Sequence, residues 1–154
     1  MAQRYRQRSR VYAWENRVIA PRDRSRVPFP AAQGMVDAIW WEMGLRYPPR
    51  VEHLPPQART RVADADRLTL RLPRLIPSWC LLHEIAHALS ATHDGHSDGH
   101  GPVFMGLYVQ LLGRYLRLGD AELLRSLEQA GLQVLTEARP VFVSPCRSAT
   151  LPDQ

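Results

Sequence analysis

From Ser78 to Leu89 the sequence reads Ser-Trp-Cys-Leu-Leu-His-Glu-Ile-Ala-His-Ala-Leu, and no other stretch constrains the fold as much. Leu81, Leu82, Ile85, Ala86, Ala88 and Leu89 wrap a broad arc at a 3.6-residue period, so the segment reads as a helix sunk in a core. At about 100° per residue, His83 and His87 fall within about 40° of each other on the remaining face, with Glu84 flanking them. Pro73 and Pro77 close the preceding element, and Ser78 is the expected N-cap of a helix running from Trp79 to about Ala91.

The elements around this helix follow from period and punctuation. Arg67–Leu72 alternates strictly and predicts a strand, with Leu68, Leu70 and Leu72 on one side and Thr69 and Arg71 on the other. Arg50–Leu54, bracketed by Pro pairs, predicts a short strand, and Ala31–Leu45 a helix. The β-branched and aromatic residues of Arg10–Ile19 predict another strand. Thr92–Gly101, built of Gly, Asp and His, predicts a loop, and Pro102 opens a helix with an apolar stripe through Phe104, Leu107, Tyr108 and Leu111. Asp120 is expected to cap a further helix that Gly131 stops, and Leu132–Leu135 and Val141–Val143 to form short strands. The organisation expected is a polar basic arm over 1–10, one domain over 11–143 and a tail over 144–154.

At 154 residues and 45% hydrophobic, the chain is long enough for one packed domain and too apolar for wholesale disorder. It lacks an apolar run of the roughly 18 residues a membrane span requires, and its basic N-terminus has no apolar stretch behind it, so the expected setting is cytoplasmic. Two cysteines, Cys80 and Cys146, are too few for a disulfide framework. The net charge is +5, and all 20 basic residues are Arg. Arg4, Arg6, Arg8 and Arg10 would share one face of an extended segment, which keeps nucleic acid among the possible partners.

His83-Glu84-Ile85-Ala86-His87 is an H-E-x-x-H pattern. Two imidazoles one turn apart can reach one ion at about 2.0–2.1 Å, and a hydrolytic zinc takes a third protein ligand and keeps a position for water. Four residues compete for that third place. His100 directly precedes Gly101-Pro102, where a tight turn can fold it back over the first two. His93 completes the metzincin spacing, with Ser90 where that spacing has a glycine. His96 shares the loop, and Glu122 would serve in a gluzincin-like arrangement. Tyr108 and Arg114 are the candidates for stabilising charge on a reacting carbonyl, and Cys80 lies about one turn before His83 on the metal side.

His83-Glu-Ile-Ala-His-Ala-Leu89 followed by Gly99-His-Gly-Pro-Val-Phe104 resembles the SprT-like zincin pattern, in which H-E-x-x-H is completed by a His-Gly-Pro-x-Phe or Trp segment. It is also similar to small actinobacterial metallohydrolases of the mycobacterial type. The match spans about residues 78–108. The resemblance implies an α+β, zincin-like minimal metallopeptidase domain, with a small mixed sheet packed on the H-E-x-x-H helix. It implies one Zn²⁺ on His83, His87 and His100, Glu84 as catalytic acid and base, and a peptide or protein substrate. The strand before the metal helix would then bind that substrate through Thr69, Leu70 and Arg71 by β-augmentation. Longer SprT-like proteins often carry a Cys-rich C-terminal zinc element, whereas this chain has Cys146 alone there.

Overall fold

The computed structural model describes residues 2–55 and 63–143, with side chains from Gln7 onward. Ala2–Trp14 forms helix α1 and runs into a π-helical turn, Glu15–Ile19. The strand expected over Arg10–Ile19 is therefore helical. Val11, Trp14, Val18 and Ile19 recur at helical spacing, Val11, Trp14 and Ile19 are fully buried, and that period outweighs the β-rich composition. Most of the expected arm belongs to the same helix, where a spacing of two defines no common face for the Arg row.

Strand β1 (Arg26–Pro28) leads into helix α2 (Phe29–Glu42), which agrees with the helix expected over Ala31–Leu45 and buries Ala32, Val36, Ile39 and Trp40. Three strands follow, β2 (Arg50–His53), β3 (Asp64–Ala65) and β4 (Thr69–Leu72), in the spatial order β2-β4-β3. Pairing is parallel between β2 and β4 and antiparallel between β3 and β4, so this small sheet is mixed. A fifth strand, β5 (Leu75–Pro77), pairs antiparallel with β1, placing buried Val27 opposite buried Ile76.

Two details of β4 depart from the alternating pattern. Leu68 is 53% exposed, because Asp66 Oδ1 accepts hydrogen bonds from the amides of Leu68 and Thr69 and turns the chain before the strand begins. Its neighbour Arg67 is buried instead, its guanidinium packed against both Trp40 and Phe142, whose rings stack on each other.

Helix α3 (Ser78–Leu89) carries the histidines and packs most extensively on α4 (Pro102–Tyr115), with further contacts to β1, β3, β4 and β5. Pro77, not Ser78, occupies the N-cap; the Ser78 amide donates to the Ser25 carbonyl at 3.0 Å. Helix α5 (Asp120–Gln129) is preceded by Gly119 as N-cap, so Asp120 opens the helix. Gly131, with φ +70°, closes it in a Schellman turn: the Leu132 amide reaches the Leu127 carbonyl and the Gly131 amide that of Glu128. The expected strands over Leu132–Leu135 and Val141–Val143 do not form. The Leu135 amide donates to the Pro102 carbonyl and the Val141 amide to that of Leu89, so these amides bond to helix carbonyls and not to a sheet.

The architecture is thus α+β: five α-helices among the described residues around a mixed three-stranded sheet and a two-stranded ribbon. Leu70, Leu72 and Ile76 from the strands join Trp40, Leu81, Ile85 and Phe104 from the helices in one core. Among the described residues, no helix is long and apolar enough to cross a membrane.

Candidate metal centre

His83 and His87 leave α3 on the face that its apolar arc leaves free, as helical spacing requires. His100 reaches them from the loop before α4. Gly95 and Gly99 turn that loop with φ of +84° and +66°, and Asp98 then anchors it: its carboxylate accepts from the Val103 amide at 2.7 Å and the Phe104 amide at 3.2 Å. Asp98 therefore satisfies two otherwise unpaired donors at the α4 N-terminus while the chain between holds His100 inward.

The result is a cluster of three imidazole nitrogens. His83 Nε2 lies 3.1 Å from His87 Nε2 and 3.3 Å from His100 Nε2, and all three ligand atoms fall within 4.8 Å of one another. An ion bonded to nitrogens at 2.0–2.1 Å in tetrahedral geometry spaces them about 3.4 Å apart. The two separations at His83 Nε2 come close to that, so this donor set fits a divalent transition metal. Phe104 stacks on His87 with ring centroids 4.3 Å apart, and Tyr12 meets His100 edge-on at 5.6 Å. Aromatic rings thus pack against His87 and His100.

The competing third ligands stand elsewhere. His93 is exposed and outside the cluster; exposed His96 pairs with Asp94 at 3.0 Å, and Glu122 pairs with Arg22 at 2.9 Å.

The three rings differ electrostatically. Burial disfavours a charged His83, but the Glu15 carboxylate 2.7 Å from its Nδ1 outweighs this and raises its pKa. Burial and the neighbouring His83 hold His87 well below the ordinary imidazole range, and the same causes, with Arg8, bring His100 down to about 3. Two of the three rings are consequently neutral near pH 7, the state in which imidazole binds a metal.

The cluster opens on a cleft of about 550 Å³, lined also by Arg8, Tyr12, Asn16, Asp64, Cys80 and Glu84. Glu84 is buried, and its Oε2 has no hydrogen-bond partner among the described residues. Burial pushes its pKa up to about 7, partly offset by His83. A carboxyl poised near neutrality at the wall of a cleft is suited to exchanging protons.

Several expectations need correction. Strand β4 is the interior strand of its sheet, paired with β2 on one side and β3 on the other, so Thr69, Leu70 and Arg71 do not form an edge for an extended substrate. Leu70 is fully buried, and Arg71 is paired with Asp64 at 2.7 Å. The strand that lines the cleft is β3, through Asp64 and Ala65. Tyr108 does not point its hydroxyl at the cleft; it donates to Glu15 at 2.7 Å and is fully buried. Arg114 lies over the Tyr115 ring and near Glu42, away from the histidines. Cys80 lines the cleft but is not among the clustered ligand atoms, and Cys146 lies outside the described residues.

Sequence reasoning missed Glu15, Asp98 and Tyr12 altogether, and it put Arg8 in a basic arm, not at the cleft. The one signal for Glu15 was a carboxylate set into the helical stripe of Val11, Trp14, Val18 and Ile19.

No family model, curated protein or solved structure matches this chain. The SprT-like resemblance therefore rests on the residues of the motif and of the His100 turn.

Proposed function

We propose that the chain is a zinc-dependent metallohydrolase with a zincin-like core, acting on peptide bonds of a peptide or protein substrate. The observation that supports this best is the meeting of His83, His87 and His100 within 4.8 Å beside buried Glu84, whose Oε2 has no hydrogen-bond partner among the described residues. These three side chains would hold the ion. Zinc, when bound, supplies Lewis acidity and brings the pKa of its water toward about 7.

The chain's own residues do the rest. Glu84 accepts a proton from the attacking water and returns it to the leaving nitrogen, which a carboxyl with a pKa near 7 can do in both directions. Phe104, fully buried against His87 and His100, holds those two rings in place. The partly open cleft leaves room for an extended chain beside β3.

The test is metal analysis of the purified protein, paired with Glu84→Gln. About one zinc per chain is expected in both proteins, with hydrolysis of unstructured polypeptide in the wild type alone. Wild-type protein without stoichiometric transition metal, or an active Glu84→Gln variant, overturns the reading. Metal in both proteins with hydrolysis in neither makes the ion a structural one.

A further inference from the structure

We propose that Glu15 is a positioning residue of the metal centre, holding His83 so that its Nε2 faces the other two imidazoles. The inference rests on the proposed metal-binding role of the cluster. Glu15 is 2% exposed although it sits 68 residues before His83, and nothing in the H-E-x-x-H motif calls for it.

The geometry concentrates on one oxygen. Glu15 Oε2 accepts from His83 Nδ1–H at 2.7 Å and from the Tyr108 hydroxyl at 2.7 Å. A carboxylate accepts and does not donate, so the bond fixes the proton of His83 on Nδ1 and leaves Nε2 as the metal-facing atom. Tyr108 pins the carboxylate from α4 and so keeps it from following the ring.

His83 is the ligand for which such control matters most. Its Nε2 is the shared vertex of the cluster, 3.1 Å from His87 and 3.3 Å from His100. Rotation of this one ring would spoil both separations. Neither His87 nor His100 has a hydrogen bond at Nδ1 among the described residues, so packing orients them, chiefly against Phe104. A partner of this kind also raises the basicity of the ligating nitrogen, and its loss commonly weakens metal binding by about 10–100-fold.

The backbone shows how Glu15 gets there. It is the first residue of the π-helical turn, whose wider winding is closed by the Ala20 amide donating to the Glu15 carbonyl at 2.9 Å. Such turns are frequent at functional sites because they re-aim a side chain without ending the helix. Trp14, the residue before, is fully buried and anchors α1 through its Nε1–H to Ser126 Oγ at 2.8 Å. The N-terminal helix is by this reading a working part of the centre.

The experiment measures zinc affinity by chelator competition for wild type, Glu15→Gln, Glu15→Leu and Tyr108→Phe, with Glu42→Gln as a surface control. Nitrogen-15 NMR of His83 is followed in both metal-free and zinc-loaded protein. Expected are a protected Nδ1 proton on His83 in the wild type, zinc bound about 10–100-fold more weakly by Glu15→Leu, a smaller loss in Glu15→Gln, and a several-fold loss in Tyr108→Phe. Glu42→Gln should match wild type. Unchanged affinity and an unchanged His83 signal in folded Glu15→Leu overturn the proposal. If the Glu15 variants fail to fold, wild-type affinity in Tyr108→Phe overturns it. Should the wild type bind no zinc, the metallohydrolase reading falls, and a His83 Nδ1 proton that does not depend on Glu15 in the metal-free protein overturns this proposal separately.

Discussion

A Cβ placed on Gly101 would lie 2.6 Å from Oδ2 of Asp98, the atom that holds the start of α4. No side chain fits there unless the Asp98 carboxylate retreats, and with it the turn that carries His100. Gly101→Ala should therefore cost about 1 kcal/mol, as loss of a helix cap does, and should loosen zinc several-fold. Gly34→Ala is the contrast: its Cβ meets nothing within 4 Å, and a helical Gly replaced by Ala should gain about 0.5–1 kcal/mol. Chemical denaturation and chelator competition on both variants check the pair; equal behaviour would mean the turn tolerates a side chain.

His100→Ala should lose zinc almost entirely, with a larger drop than the roughly 10–100-fold that an outer hydrogen-bond partner commands. His93→Ala should hold it as wild type does, since His93 is exposed and outside the nitrogen cluster. Metal content after dialysis against a weak chelator distinguishes them, and the reverse order removes His100 from the ligand set.

Glu84 gives the metal-free protein a stability that falls as pH rises. Its carboxyl ionises near 4.5 in an unfolded chain and near 7 in the fold, so between those values the folded state holds more protons. Stability from this residue is full below about 4.5 and is lost as pH passes 7, by about 3 kcal/mol at most. Urea titrations of metal-free wild type and Glu84→Gln from pH 4 to 8 should diverge across that window and run parallel above it. Zinc should flatten the wild-type curve, because a cation nearby favours the ionised carboxylate. Curves parallel throughout would place Glu84 in a solvated setting.

Cys80 should be a sluggish nucleophile. Burial, reinforced by Glu15 and Glu84, pushes its thiol pKa far up, so thiolate is scarce at neutral pH. In a Cys146→Ser background, alkylation at pH 8 should run more than tenfold slower than for free cysteine and recover on unfolding. Rapid labelling of the native protein would contradict the burial.

The histidine-bearing helix was legible because its apolar arc left one face for His83, Glu84 and His87. The turn bearing His100 was legible because Gly-Pro must start a helix there. Glu15 was hidden by a conflict of signals: Val11, Trp14, Val18 and Ile19 are strand-formers by composition, but their spacing is helical, and spacing decides burial. Strand β4 misled differently. Its alternation reports that one face is buried, which is equally true of an edge and a central strand, and the parallel partner β2 comes from a segment with little pattern of its own.

The bonds at Glu15 Oε2 tie together residues 15, 83 and 108. Transplanting the five motif residues into a foreign helix would carry over two nitrogens with neither their orientation nor the third corner. On the proposed role of Glu15, the unit that carries the centre is the whole span from Glu15 to Tyr108, and a truncation that removes Glu15 should weaken the centre even where every histidine survives.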